Sequence, residues 1–154
     1  TATNKAVATI TVGKRPRSVI FTPDGTKAYV PAEVGGDVTV VDVKSHKPLK
    51  TISLAATSAG AKPMGSAISP DGKFVYITNG RGATVSVIDA AADSVVATIK
   101  NPARPWGIAV SADGKRIYTA NGSSNDVAVI DAGTNAVVKM IPAGDSPWGV
   151  ALGK

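Results

Sequence analysis

The sequence predicts an all-β protein in which one antiparallel four-stranded sheet is repeated along the chain. Short runs rich in β-branched residues alternate with turn signals, and the pattern is clearest over residues 105–143. The glycine of a recurring Asp-Gly turn is followed 17 residues later by an aspartate in each of three copies. The three turns are Asp24-Gly25, Asp71-Gly72 and Asp113-Gly114. Equal spacing of equal motifs is typical of a repeat architecture.

The four strands of the clearest copy are predicted to follow one another as a meander. Residues 107–111 are small and apolar, and residues 116–120 alternate polar with apolar side chains. A third strand is predicted at 126–131, with Val127, Val129 and Ile130 as its buried set, and β-branched residues favour a fourth at 136–141. The first two strands are joined by the Asp-Gly turn, where glycine supplies a positive φ.

The step from one copy to the next predicts the blades of a β-propeller. The prolines that open the first strands are separated by 47, 42 and 42 residues, at Pro16, Pro63, Pro105 and Pro147. Four-stranded units of roughly 40 to 45 residues are typical of propeller blades. We therefore predict complete blades at residues 16–53, 63–100 and 105–143. The longer first step falls in residues 53–62, which are expected to form a tolerated surface loop, the alternative being a loop that contacts its neighbour.

Each end of the chain is predicted to contribute one strand to a split blade at that end of the arc. Residues 5–13 align with residues 136–144 as an outer strand, and residues 147–154 repeat the inner strand that opens each copy. Three blades cannot close a ring, because propellers have roughly four to eight. The chain is therefore expected to form about half of a ring, with open ends covered by another polypeptide segment. The candidates are the remainder of a longer propeller, of which this chain would be the C-terminal part, a second copy, or another subunit.

One four-residue motif resembles a known family of repeats. It occurs at Tyr29-Val30-Pro31-Ala32, Tyr76-Ile77-Thr78-Asn79 and Tyr118-Thr119-Ala120-Asn121. These segments, with flanking Ser-Pro-Asp-Gly-Lys and Val-Ile-Asp, resemble the YVTN-family β-propeller repeats of bacteria and archaea. The resemblance implies a periplasmic or extracellular protein. The relatives it implies include surface-layer proteins, accessory proteins of quinone-dependent oxidation in the periplasm, and lactonase-like hydrolases. The first copy departs from the pattern, since Pro31 and Ala32 replace its last two residues.

Basic side chains are predicted to gather at one end of the arc, around the mouth of the central channel. In a meander blade, the loop between the second and third strands lies at the same end as the link to the next blade. The acidic residues of this end are Glu33, Asp37, Asp126 and Asp145. The candidate ligand-binding residues are Arg15, Arg17, Lys62, Arg81, Arg104, Trp106 and Trp148. Clustered cations would attract an anionic small molecule or an acidic partner, and the alternative is that they are solvated loop charges.

The two tryptophans and the two motif asparagines have alternative structural roles. Trp106 and Trp148 either form a stacking platform at the mouth or pack between adjacent first strands, with Gly107 and Gly149 allowing close approach. Asn79 and Asn121 are expected to bond loop backbone.

Composition excludes several classes of site. The chain has no cysteine, one histidine (His46) and a net charge of +6, and 5% of its residues are aromatic. We therefore expect no metal site, no cofactor and no nucleic-acid partner. The sequence contains no run of 18 apolar residues, so no membrane-spanning segment is predicted. Residues 1–5 do not form a signal peptide, and they are expected to be either what remains after cleavage or the start of a fragment.

The sequence as a whole favours a non-catalytic binding or scaffold module with an anion-binding mouth. A periplasmic accessory protein of quinone-dependent oxidation is one alternative, implied by the resemblance. A lactonase-like hydrolase is the other, for which Glu33 is the lone acid or base candidate. No catalytic residue is assigned, and an enzyme is the less favoured class.

Overall fold

A computed structural model describes residues 4–101 and 103–153 of the protein. These residues contain twelve β-strands and a 3₁₀ turn at Gly80–Gly82, and no α-helix. The described part of the chain has no helix of the length and apolarity that crossing a membrane requires.

The strands form three separate antiparallel sheets, each a meander of four consecutive strands. Blade one contains β1 (Ile20–Phe21), β2 (Lys27–Ala32), β3 (Asp37–Asp42) and β4 (Lys47–Ser53). Blade two contains β5 (Ser66–Ile68), β6 (Phe74–Thr78), β7 (Thr84–Asp89) and β8 (Ser94–Lys100). Blade three contains β9 (Pro105–Val110), β10 (Arg116–Asn121), β11 (Asp126–Asp131) and β12 (Ala136–Pro142). The predicted fold class, an all-β partial propeller with three four-stranded blades, is confirmed.

Each Asp-Gly turn is held by its own aspartate. In blade three, the Oδ1 of Asp113 accepts a hydrogen bond from the Ser111 hydroxyl at 2.6 Å and one from the Lys115 amide at 3.0 Å. These two bonds, the hydroxyl first, lower the pKa of the Asp113 carboxyl. Gly114 adopts a φ of +71°, which favours glycine. These aspartates are therefore structural residues of the turn.

The outer strand of each blade contains a bulge at one equivalent position. The pairing register shifts between Val40 and Val41 in blade one, and the same shift recurs in the other two blades. The extra residue is about half exposed in every blade, as Leu49, Val96 and Val138. A bulge on an edge strand disturbs its ladder and discourages pairing with another chain.

Two apolar cores lie between neighbouring blades, and they hold the arc together. The core between blades one and two contains Tyr29, Val38 and Leu54 from the first and Val75 and Ile77 from the second. The core between blades two and three is built in the same way, from Tyr76, Val85, Val87, Ile99, Ile117 and Ile130. Blade two is thus packed on both faces, whereas blades one and three are each packed on one.

The loop after blade one is not the surface loop expected from the sequence. Leu54 and Ala61 belong to the first core, and the Ser58 hydroxyl lies 2.6 Å from that of Thr84 in blade two. The extra residues therefore fill space between two blades, because the loop folds back with Ser58 and Thr57 bonded to the Leu54 carbonyl.

The two terminal segments form no strand among the described residues. Residues 4–12 and 147–153 pair with no sheet, and Pro16 makes a single bridge to Ala32. Ile10 and Val12 lie beside Phe21 and Val30 on the open face of blade one. A strand needs a partner, and the strands that would complete the split blade at either end of the arc are not among the described residues. That residues 5–13 and 147–154 pair once these two blades are complete stays a prediction; Lys154 lies outside the described residues.

Two leucines close together in the chain test the packing between blades. Leu54 is fully buried in the first core, whereas Leu49 is 54% exposed at the bulge. We expect Leu54→Ala to lower the free energy of unfolding by about 2 to 5 kcal/mol, because it removes buried methyl groups and leaves a cavity. The matched control Leu49→Ala should cost less than about 1 kcal/mol. Urea unfolding measures both changes, and equal losses would contradict the assigned core.

Candidate functional site

The first strands of the three blades and the last segment of the chain approach one another at the inner end of the arc. The Ser18 hydroxyl donates to the Met64 carbonyl at 2.8 Å, which joins blade one to blade two. A Cβ on Gly107 would lie 2.6 Å from the Cα of Gly149, so only glycine allows that separation. The residues predicted at the channel mouth therefore lie on adjacent segments.

The two tryptophans are in contact at this inner end. The ring centroids of Trp106 and Trp148 are 4.5 Å apart, with an angle of 51° between the ring planes. The benzene ring of Trp106 lies directly on Gly122, where a Cβ would come within 2.1 Å of Cζ3. Trp148 is 60% exposed. The packing expected between neighbouring first strands is observed, and one ring also faces solvent.

An arginine lies over each tryptophan. The Arg17 Cζ is 5.7 Å from the ring centroid of Trp148, and the Arg104 Cζ is 5.3 Å from that of Trp106. Both distances are within the range of a cation–π contact. The four side chains form one unit, which we call the Arg-Trp cluster.

Glu33 holds two of the predicted arginines. Its Oε2 lies 3.3 Å from the Nε of Arg15 and 3.5 Å from the Nε of Arg17. One carboxylate facing two guanidinium groups leaves a net charge of about +1 at this point. The arrangement fixes both arginines and leaves part of their donor capacity available.

A cleft of about 230 Å³ opens beside the cluster. Its walls come from blades one, two and three and from the last segment of the chain. The lining residues are Arg17, Ser18, Met64, Gly65, Trp106, Gly107, Trp148 and Gly149. Backbone, aromatic rings and one guanidinium thus surround a space that a small ligand can enter.

The remaining two predicted site residues lie apart from the cleft. Arg81 is exposed on the 3₁₀ turn that follows β6, and Lys62 bonds through its amide to the Asn79 carbonyl at 2.9 Å. The structure therefore brings together Arg15, Arg17, Arg104, Trp106 and Trp148, and leaves Lys62 and Arg81 outside the cleft. Ligand binding by these seven residues stays a prediction.

The carboxyl group of Asp37, which the sequence identifies only as one of the acidic residues at this end, has an unusual environment. The Oδ1 of Asp37 is buried and has no hydrogen-bond partner among the described residues. Burial raises the pKa of the Asp37 carboxyl. At the same position of blade three, the Nδ2 of Asn121 donates to the Oδ1 of Asp126 at 2.8 Å. Blade one has Ala32 in place of that asparagine, so the donor is lost. The departure from the motif at Ala32 was therefore the sequence signal for the unpaired Asp37 carboxyl.

The motif asparagines bond side chains rather than loop backbone. The Nδ2 of Asn79 donates to the hydroxyls of Thr84 and Ser86, both at 2.8 Å. The expectation of backbone bonds was wrong, because both asparagines are fully buried against the start of the third strand, where hydroxyl and carboxyl groups are the nearest acceptors.

His46 lies at the opposite end of the arc, in the turn after β3. Among residues 4–101 and 103–153, no group of three His, Cys, Asp or Glu side chains is placed to hold a metal ion.

The fold and the inner cleft define the chain as an arc of a β-propeller with a basic, aromatic mouth. The model of the lactonase, 7-bladed beta-propeller family matches residues 1–140, and the chain belongs to this family. No curated protein sequence matched the chain.

Solved structures show the same fold. Hydrazine synthase from Kuenenia stuttgartiensis is 28% identical, with a TM-score of 0.81 over 94% of this chain and 41% of that chain. The WD40 repeats of RRP9 are 18% identical, with a TM-score of 0.79 over 89% of this chain and 41% of that chain. U3-55K gives the same identity and TM-score over 89% of this chain and 42% of that one. The chain thus spans about two fifths of the length of these proteins, and three blades are three sevenths of a seven-bladed ring.

Asp37 gives a prediction about pH. We expect Asp37→Asn to raise the melting temperature at pH 7, because the folded protein holds this ionised carboxylate without a donor. A carboxyl whose pKa is raised by folding lowers stability above that pKa, and this loss disappears as acid protonates the group. The gain should therefore shrink as the pH is lowered from 7 to 3, which is below the ordinary pKa of an aspartate.

The matched control for this prediction is Asp126→Asn. The Asp126 carboxylate has its asparagine donor, so its replacement should give no gain at pH 7. Melting curves of the two variants and the wild type across this pH range measure both effects. A gain from Asp37→Asn that is the same at pH 3 as at pH 7 would contradict the assigned cause.

Proposed function

We propose that this chain is a non-catalytic binding module of a β-propeller, and that its mouth binds an anionic group through the Arg-Trp cluster. The single observation behind the proposal is that Arg17 and Arg104 each lie over a tryptophan ring at the inner end of the arc. Periplasmic or extracellular location is part of the proposal and is supported by the YVTN-like repeats alone.

The chemistry of the cluster suits a carboxylate or a phosphate. A guanidinium stacked on an aromatic ring keeps the N–H groups at its edge free for a bidentate contact with two oxygens. The Nε of Arg104 is buried and has no hydrogen-bond partner among the described residues. An anion at the mouth would satisfy this unpaired donor once the Arg104 side chain turns to expose it.

Ring completion is the second part of the proposal. Three blades with two open faces belong to a family whose rings have seven blades. Further propeller segments would cover these faces and enclose the mouth. Enclosure strengthens an electrostatic site, because water is excluded and several like charges add their fields around a low-dielectric funnel.

Fluorescence of the two tryptophans tests the anion site directly. The wild-type chain is titrated with inorganic phosphate and with succinate, at low ionic strength. We expect a saturable change in emission, and Arg17→Gln or Arg104→Gln should weaken binding by about tenfold to a hundredfold, the value of a lost charge-assisted hydrogen bond. Lys44→Gln, at the opposite end of the arc, is the control for net charge and should leave affinity nearly unchanged. Equal effects of all three variants, or no saturation, would contradict the proposal.

A lactone hydrolase is the second candidate, favoured by the family to which the chain belongs. Glu33 is the acid or base candidate of the mouth, and its carboxylate lies between Arg15 and Arg17. The assay measures hydrolysis of a sugar lactone with and without added divalent metal. Turnover that Glu33→Gln abolishes would favour the hydrolase. Under the proposed function, wild type and variant hydrolyse the lactone no faster than buffer.

A further inference from the structure

At the end of the blades opposite the mouth, a further polar contact joins blade one to blade two outside the apolar core. The Nζ of Lys27 donates to the Oδ2 of Asp93 at 2.8 Å and to the Ala90 carbonyl at 2.9 Å. The Tyr29 hydroxyl donates to the other oxygen of Asp93 at 2.6 Å. Burial and then the bond to Asp93 raise the pKa of the Tyr29 phenol. Two side chains from the second strand of one blade thus grip a carboxylate in the last turn of the next blade.

The corresponding contact between blades two and three is neutral. Phe74 and Tyr76 take the positions of Lys27 and Tyr29, and Asn135 takes the position of Asp93. Asp93 and Asn135 both have a left-handed φ, of 49° and 55°, so the backbone presents them in the same way. The residues on the two sides of each interface therefore match: a cation faces an acid, and an aromatic ring faces an amide.

The open face of blade three carries a cation and a tyrosine at the same two positions as blade one. Arg116 and Tyr118 occupy the positions of Lys27 and Tyr29, and Lys139 occupies that of Lys50, whose Nζ reaches the Ala92 carbonyl at 3.3 Å. Tyr29 and Tyr76 are buried by the following blade, whereas Tyr118 is only half-buried. Arg116 donates to Asp131 of its own sheet, but a guanidinium has five N–H groups and can bind a second carboxylate.

The other end of the arc does not offer the matching acid. The residue of blade one that corresponds to Asp93 is His46, with a φ of 56°. In all three blades this residue is the twenty-first after the glycine of the Asp-Gly turn. If a second copy docked its blade one against blade three, the imidazole of its His46 would face Arg116 where a carboxylate is needed. Charge matching thus disfavours head-to-tail self-association.

We propose that blade three docks a blade whose last turn comes from a different propeller segment, and that this turn places an aspartate, in a left-handed conformation, between Arg116 and Tyr118. This rests on the ring completion proposed above, but not on the anion-binding mouth, which lies at the opposite end of the blades. Aspartate fits better than glutamate because its short side chain tolerates a left-handed backbone. The interface is a continuation of the one between blades one and two.

The test creates the missing acid on the chain itself. His46→Asp supplies the carboxylate on blade one, and His46→Asn is the neutral control that keeps the turn, as Asn135 does in blade three. Sedimentation velocity across a concentration series measures self-association of each variant, alone and combined with Arg116→Gln. The terminal segments near the two docking faces, residues 4–13 at blade one and residues 147–153 beside β9 of blade three, are the same in every variant. Any cost of displacing them therefore cancels in the comparison.

We expect the His46→Asp variant to self-associate about tenfold more tightly than the His46→Asn variant at low salt, and we expect Arg116→Gln to remove this difference. Tyr118→Phe should reduce the difference.

Equal self-association of the two His46 variants, including none in either, would overturn the proposal. A difference that persists with Arg116→Gln would also overturn it. Wild type that associates as tightly as His46→Asp would overturn the inference that the partner is a different segment. His46→Glu is the second acidic variant should His46→Asp fail to fold, which circular dichroism reports. Phosphate titration of the same variants stays at the wild-type value if only this proposal fails.

Discussion

Face-to-face packing between neighbouring sheets is the interaction on which the rest of the structure depends. A single four-stranded meander has two apolar faces and cannot bury either one alone. Tyr29 and Leu54 of blade one and Val75 and Ile77 of blade two lie in one shared core, and the second core repeats the arrangement. Stability in such an array is a sum of blade terms and nearest-neighbour terms. An arc that ends on two open faces is therefore complete in its interior and incomplete at its edges.

The same packing decides where variation is tolerated. Positions inside the two cores and the Asp-Gly turns repeat from blade to blade, whereas the other loops differ. The inner end contains the Arg-Trp cluster, in which Glu33 and the tryptophan rings orient the arginines. The other end contains the turn residues that meet the neighbouring blade, as Asp93 meets Lys27 and Tyr29. Ligand contacts and blade order are thus separate properties of one scaffold.

The repeat was predictable from the sequence because each blade contains local signals. Asp-Gly turns, strand periodicity and constant spacing are properties of short segments, and they indicate the meander without any knowledge of tertiary contacts. The clustering of charges followed from the meander, since chain direction decides which loops share an end. The structure brings Arg17 and Arg104 together with Trp106 and Trp148 at one end of the arc, and leaves Lys62 and Arg81 apart from them.

Contacts between blades were not predictable, because they depend on side chains that are distant in sequence. Nothing local indicates that Glu33 pairs with Arg15 and Arg17, or that the loop with Leu54 and Ser58 fills an inter-blade space. The unpaired Asp37 was visible only as an alanine where two other blades have asparagine. In a repeat protein, such a departure can be interpreted once the structure shows which hydrogen-bond donor is lost.

Amide hydrogen exchange tests the central claim, which is that blades are stabilised by their neighbours. Blade two is packed on both faces, so its central strands β6 and β7 should exchange most slowly, through the largest opening unit. The central strands of blades one and three pack against one neighbouring blade each and should exchange measurably faster, although the ladders between these strands are no shorter than that of blade two. Equal protection of all three blades would contradict the account, since it would mean that each sheet is stable without the packing described here.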